Sequence, residues 1–244
     1  MITYDEELRI YYSTKINDTK YFSAFGTRDF GDGRDIKSIK NFLKENDIEY
    51  KQIVTLDQIH STNIAVLKDK ANVGAERIED TDGVIAQAKN TVLTTITADC
   101  LPLVFVDKKR GIIGISHQGW RGSLKRLAVK MIVRMVKLGS RKKDIIIAIG
   151  PGIGICCYDV DEDRYFEFKE EMEQYSDRIF SMRQGQRHLN LLLLNYLLLI
   201  DAGIKKENID FFPFCTRCNK KRFFSLRGGK GRDRREMFNL VVKL

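Results

Sequence analysis

A chain of 244 residues, 43% hydrophobic and 31% charged, can bury a substantial core and is too apolar for a disordered polymer. The net charge of +9 is concentrated in residues 205–235, where eleven Lys/Arg stand against three Asp/Glu. Such a patch suits RNA, an acidic surface or phosphate-bearing small molecules, but a solvated basic face is the simpler account and specifies no partner.

The N-terminus reads M-I-T-Y-D-E-E, without the basic start or apolar run of a secretory signal. The longest apolar stretch, residues 191–200, is interrupted by Asn195 and too short to span a bilayer, so no membrane association is expected. Only three prolines occur and no segment resembles a linker, so residues 1–244 are expected to form a single domain. Five cysteines (Cys100, Cys156, Cys157, Cys215 and Cys218) are an odd number that suits a reducing compartment, and a soluble, cytoplasmic protein is expected.

In chain order, the β-branched run Thr91–Thr97 predicts a strand, followed by A-D-C-L-P, where Pro102 argues for a turn or strand edge. Residues 103–106 and 112–116 predict two further strands, which places His117 at a strand end before the turn-like Q-G-W-R-G. Ser123 is a candidate cap for a helix whose apolar positions recur from Leu124 to Leu138, with Gly139 as its stop. Residues 144–149 predict a buried strand closed by G-P-G-I-G, and residues 189–202 a second helix ending at Gly203. The strands lie too close together for strict βαβ alternation, so the fold class is α/β or α+β with a mixed sheet.

Two of the three histidines sit in such turn contexts, His60 in D-Q-I-H-S and His117 in H-Q-G-W-R-G, while Cys100 lies in T-A-D-C-L-P. Two imidazoles and a thiolate suit zinc and leave a fourth position for water or substrate. Their wide spacing makes no compact motif, so hydrogen-bonded structural histidines and a small core cysteine remain an open alternative.

Taken together, D-Q-I-H-S at 57–61, D-G-V-I at 82–85, T-A-D-C-L-P at 97–102, H-Q-G-W-R-G at 117–122, G-P-G-I-G-I-C-C-Y-D-V at 150–160 and F-C-T…F-F-S-L-R at 214–227 resemble the YfiH-type laccase-domain family. Its members are also called multicopper polyphenol oxidases and are regarded as purine nucleoside phosphorylases. The resemblance implies a single-domain α/β sandwich with flanking helices and a zinc held by His60, Cys100 and His117, with copper as a possible substitute. It further implies purine nucleosides (adenosine, inosine, methylthioadenosine) and phosphate as substrates, with adenosine deamination as a second activity. This chain departs from the family in having Gln118 rather than alanine after the second histidine. It also has L-R-G-G-K-G-R-D-R-R-E-M in place of the family's arginine-rich pattern. Arg227 carries over as a phosphate or substrate contact, whereas Arg232, Arg234 and Arg235 compete for the second position.

Arg121 could clamp phosphate bidentately or simply open a helix. Trp120 could stack on a purine or pack, and Asp99 could orient a ligand histidine. The G-P-G-I-G turn could present N–H groups to an anion but lacks the ending of a P-loop. Cys156, Cys157 and His188 read as structural. The Cys215–Cys218 pair lacks a second C-x-x-C to complete a zinc ribbon, which leaves Cys218 without a role. Other functional readings keep Cys100 as a nucleophile with His117 or His60 as base, or make the chain a copper-dependent phenol oxidase. Three histidines are too few for several copper centres. A nucleic-acid module would interleave Phe211, Phe212, Phe214, Phe223 and Phe224 with the basic segment.

Overall fold

The computed structural model describes residues 1–67, 74–229 and 233–244. Strand Leu101–Asp107 is buried at every position, so both of its faces must meet apolar partners. Alternation divides them. Leu101, Leu103 and Phe105 pack with Ile147 and Ile149 against Met131, Met135, Leu194 and Leu198 of two helices. Val104 and Val106 turn the other way and pack with Ile113 and Ile115 against Val54, Leu93 and Val241 of a second sheet.

That second sheet has seven strands, in the order Ile2–Asp5, Ile10–Ser13, Tyr21–Phe25, Met237–Lys243, Thr91–Thr97, Gln52–Leu56 and Gly74–Ile78. Its outer face (Ile53, Val92, Leu240 and Val242) is covered by Ile39, Phe42 and Leu43 of helix Ile36–Glu45. The first sheet has six strands, ordered Ile209–Phe211, Ile146–Ile149, Leu101–Asp107, Ile112–Gln118, Gly83–Ala86 and Ile64–Val66. The result is a layered α/β sandwich: helix, sheet, sheet, helices. Both sheets are mixed, with parallel pairing at Gln52–Leu56 in one and at Ile64–Val66 in the other. A small third sheet joins Asp159–Val160, Gln186–Leu189 and Phe180–Arg183.

Several expectations shift. The three central strands do not form one sheet: Thr91–Thr97 lies in the seven-stranded sheet, and the chain crosses to the other at Ala98, Asp99 and Cys100. Asp99 makes that crossing with φ +91°. Pro102 is not at a turn but is the second residue of its strand, paired with His117. Its carbonyl accepts Gly150 N–H at 2.8 Å, and its missing donor falls where the neighbouring strand Ile146–Ile149 has already ended.

Ser123 caps nothing. Helix Trp120–Leu124 starts from Gly119, Arg126 breaks the path with φ +59°, and helix Leu127–Lys137 follows. Ser123 is buried instead, its hydroxyl accepting from Asn195 Nδ2 at 2.9 Å. That bond explains the polar interruption in the leucine-rich helix Leu191–Asp201, whose Leu191, Leu194, Leu198 and Leu199 are buried in the core. No helix among the described residues is long and apolar enough to cross a membrane.

Gly150 lies where the Ile146–Ile149 strand closes against the other sheet. A Cβ there would strike the Phe25 ring and stand 2.8 Å from Pro102 Cγ. Gly150→Ala is therefore expected to cost about 1–3 kcal/mol of stability through overpacking, read as a lower urea midpoint at unchanged m-value.

Candidate active site

The pairing of Pro102 with His117 brings Cys100 opposite the residues that follow His117. His117 is the penultimate residue of Ile112–Gln118 and is 3% exposed, whereas Cys100 is half-buried. His60 reaches them from the loop after Gln52–Leu56. That loop is pinned at Gln58, whose side-chain amide forms a two-bond pair with the backbone of Ile96, each bond 2.8 Å. His60 itself has φ +59°, a conformation that its surroundings must hold in place.

The group that holds it is the Asp82 carboxylate, fully buried. It accepts the N–H groups of Ile59, His60 and Ser61 at 3.2, 3.1 and 2.6 Å and the Ser61 hydroxyl at 2.7 Å. It also takes His117 Nδ1 at 2.8 Å, which leaves His117 Nε2 for the interior of the site. Burial pushes the Asp82 carboxyl up, but the bonds from His117 and Ser61 outweigh it and hold the group below its ordinary value.

Around this anchor the donor atoms of His60, Cys100 and His117 all lie within 4.8 Å of one another. Cys100 Sγ is 3.8 Å from His60 Nε2, and the two imidazole rings meet edge to face at 4.7 Å. Burial raises the Cys100 thiol, yet His117 and the bonds from both histidines bring it down to about 7. Burial conversely lowers His117, but the Cys100 thiolate and Asp82 outweigh it and lift the imidazole to about 10. Gly119 allows the convergence: a Cβ there would lie 2.5 Å from His60 Cδ2 and 3.4 Å from Cys100 Sγ. All three residues border a cavity of about 450 Å³, which Thr55, Arg34, Leu226 and Glu236 also line. Burial, the largest influence on Glu236, raises its carboxyl.

The other sequence candidates lie elsewhere. Asp99 orients neither histidine; it accepts Thr216 Oγ1 at 2.7 Å and Arg227 N–H at 2.8 Å, because its strand-crossing conformation turns it away from them. Arg227 is half-buried and paired with Asp159 at 3.1 Å. Arg121 is exposed and lies over the Trp120 ring at 4.4 Å, where Arg164 also lies at 4.5 Å. The Trp120 ring is thus engaged by two guanidinium groups. Neither Arg121 nor Arg227 borders the cavity. Arg235 pairs with Asp233, Arg234 is exposed, and Arg232 falls outside the described residues. In the G-P-G-I-G turn, Gly150 and Ile153 N–H are already bonded to Pro102 and Asp99 carbonyls. His188 donates from Nδ1–H to the Ile155 carbonyl, 2.8 Å away, as a structural histidine does. Of the five phenylalanines in the basic segment, Phe212, Phe223 and Phe224 are core residues, and only Phe211 and Phe214 are exposed.

Sequence reasoning missed the roles of Asp82, Gln58, Gly119 and Glu236. All four stand inside motifs or segments that the sequence singles out, but a motif does not say which of its residues bears the hydrogen bonds or borders the cavity.

Residues 20–242 match the family model described as multi-copper polyphenol oxidoreductase laccase. Purine nucleoside phosphorylase YlmD of Bacillus subtilis (strain 168) is 32% identical over 197 residues, 78% of this chain and 70% of that protein. Adenosine deaminase RL5, from an unknown prokaryotic organism, is 30% identical over 186 residues, 74% of this chain and 71% of the relative. Among solved structures, the hypothetical protein YfiH of Bacillus licheniformis superposes with a TM-score of 0.81 at 27% identity, covering 92% of this chain and 93% of the other. YlmD from Geobacillus stearothermophilus shares the fold with a TM-score of 0.85 at 23% identity, covering 100% and 99%.

Two outcomes test the site as a cation receptor. An ion needs Cys100 deprotonated and His117 neutral, so between pH 7 and 10 binding must displace the His117 proton. Zinc affinity is expected to rise about tenfold per pH unit through that range, and more steeply below it, where the Cys100 proton must also leave. Competition titrations with a chromophoric chelator give the slope. Asp82→Asn removes the carboxylate that aims His117 and is expected to weaken zinc binding by about 10- to 100-fold in the same assay.

Proposed function

This chain belongs to the multi-copper polyphenol oxidoreductase laccase family, and on that premise we propose that it is a zinc-dependent purine nucleoside phosphorylase. Adenosine, inosine and methylthioadenosine are its proposed substrates, and adenosine deamination a second activity, in line with the names of two relatives. One observation carries the proposal: His60, Cys100 and His117 present donor atoms within 4.8 Å of one another at the wall of a nucleoside-sized cavity. Two imidazoles and a thiolate, with His117 aimed by a buried carboxylate, fit an open three-ligand zinc site. Bound there, the ion would supply Lewis-acid stabilisation of negative charge developing on the substrate.

The chain's own groups account for the remaining demands. In phosphorolysis a phosphate oxygen bonds to C1′ while the C1′–N bond breaks and its electron pair departs with the base. The base then needs a proton, and Glu236, raised by burial, can hold one at the cavity wall. Phosphate needs cationic donors. The guanidinium groups that line the cavity are those of Arg34 and Arg77, whereas Arg121, Arg164 and Arg227 stand outside it. Residues 1–244 are proposed to act as one domain, since the core layers draw on strands from both ends of the chain.

The lowered Cys100 thiol beside His117 also fits a nucleophile for ester or amide hydrolysis. That reading leaves His60 without a task, whereas a metal uses both rings. Adenosine and phosphate incubated with zinc-loaded protein are expected to yield adenine and ribose 1-phosphate by chromatography. Alanine at His60, Cys100 or His117 should each abolish turnover and deplete zinc from the site to a similar degree. Absence of turnover of any purine nucleoside would reject the proposal, and covalent trapping at Cys100 in active, zinc-free protein would establish the nucleophile instead.

A further inference from the structure

Away from the cavity the structure gathers the cysteines that the sequence kept apart. The Sγ atoms of Cys156, Cys157, Cys215 and Cys218 all lie within 4.8 Å of one another. Cys218 Sγ is 3.5 Å from Cys156 and 3.4 Å from Cys157. The second pair that a ribbon-like site would need is thus the adjacent Cys156–Cys157, which no spacing rule for C-x-x-C pairs would select.

The backbone is built for this meeting. Cys157 and Tyr158 N–H both donate to the Gly154 carbonyl, at 2.9 and 3.1 Å, which folds the C-C-Y segment into a tight turn. Across from it, Gly152 bridges Cys215 in parallel fashion, and Thr216 N–H donates to the Gly152 carbonyl at 3.0 Å. Asn219 closes C-T-R-C by donating from Nδ2 to the Cys215 carbonyl at 2.8 Å. Gly154 lets the two turns touch: a Cβ there would lie 3.0 Å from Cys215 Cβ and 3.3 Å from Cys156 Sγ.

We propose that these four cysteines form a second, closed metal site that holds a structural zinc ion. Zinc–sulfur bonds of roughly 2.3 Å in a tetrahedron place sulfurs roughly 3.8 Å apart, a value that lies between the 3.4 and 3.5 Å of the two Cys218 pairs and the 4.8 Å within which all four sulfurs fall. Such separations leave no room for inorganic sulfide among the four sulfurs, so a single ion is favoured over an iron–sulfur cluster. They also exceed the bond length of a disulfide, and Cys156 and Cys218 are exposed, unlike cysteines buried as small apolar groups. On binding, each thiol loses its proton to solvent and forms one sulfur–metal bond, with no change of oxidation state. Four thiolates around a divalent ion carry a net charge of −2, and Arg217, whose guanidinium donates to the Cys157 carbonyl at 3.2 Å, offsets part of it.

The consequence is a clamp. Thr216, between the two ligands of the C-x-x-C pair, donates to Asp99 Oδ1, whose other oxygen takes Arg227 N–H. Asp99 precedes Cys100. The ion would therefore fasten the turn at residues 150–158 to the segment bearing Arg227 and brace the crossing that delivers Cys100. The inference does not rest on the nucleoside reading.

The test uses the full chain purified with reductant under low oxygen. Cys100→Ala, which removes the first site, is expected to retain about one zinc per chain, and adding Cys156→Ser and Cys218→Ser should lower this below about 0.1. Cobalt(II) supplied to Cys100→Ala should produce the intense charge-transfer absorption of several thiolates on one ion. In wild-type protein, alkylation of the exposed Cys156 and Cys218 should be slowed at least about tenfold by zinc and restored by a chelator, a result that needs no variant to fold. Less than about 0.2 zinc in Cys100→Ala with no cobalt–thiolate absorption would overturn the proposal. So would a disulfide joining Cys218 to Cys156 or Cys157 in the freshly purified, reduced chain.

Discussion

The Asp82 carboxylate is a buried charge, and a buried carboxylate is tolerated only when its oxygens are satisfied. Here the groups that satisfy it are those that define the site. Three consecutive N–H groups of the His60 loop, the Ser61 hydroxyl and the His117 ring all converge on its two oxygens. The same interaction fixes the His117 tautomer, leaving Nε2 for the interior, and holds His60 in its left-handed conformation. Removing the carboxylate would free the loop and the ring together, so the geometry of the donor set depends on this one residue more than on any of its members.

The sandwich provides what a carboxylate cannot: the meeting of three distant segments. His60 follows a strand of the seven-stranded sheet, and His117 ends a strand of the six-stranded one. Cys100 lies on the crossing between the two sheets. Because both faces of Leu101–Asp107 are buried, that crossing is anchored in the core on either side, and the thiol has little freedom to drift. Gly119 completes the approach by having no side chain where the His60 ring lies.

The basic segment 205–235 acquires a structural reading. Phe212, Phe223 and Phe224 anchor it in the core, and Arg235 lies over Phe224 at 4.6 Å while pairing with Asp233. Its cysteines face those of residues 156–157, and Arg227 turns back to Asp159. Among the described residues of the segment, Lys205, Arg222, Arg227 and Arg235 are arranged around local anions or ring faces.

The sequence by itself determined the class of the fold and singled out three residues, His60, Cys100 and His117, that the structure brings together. Strand Thr91–Thr97, the helix stops at Gly139 and Gly203, and the choice of His60, Cys100 and His117 rest on composition, periodicity and motif, all of which are local or carried by resemblance. Tertiary structure alone decided which residues support those three. Asp82 rather than Asp99 orients His117, Ser123 bonds Asn195 instead of capping a helix, and four cysteines from two distant turns lie within 4.8 Å of one another. The physical reason is common to all three. A hydrogen bond or a shared ligand position depends on where side chains end in space, and between residues tens of positions apart that is set by how sheets stack and cross, not by local pattern.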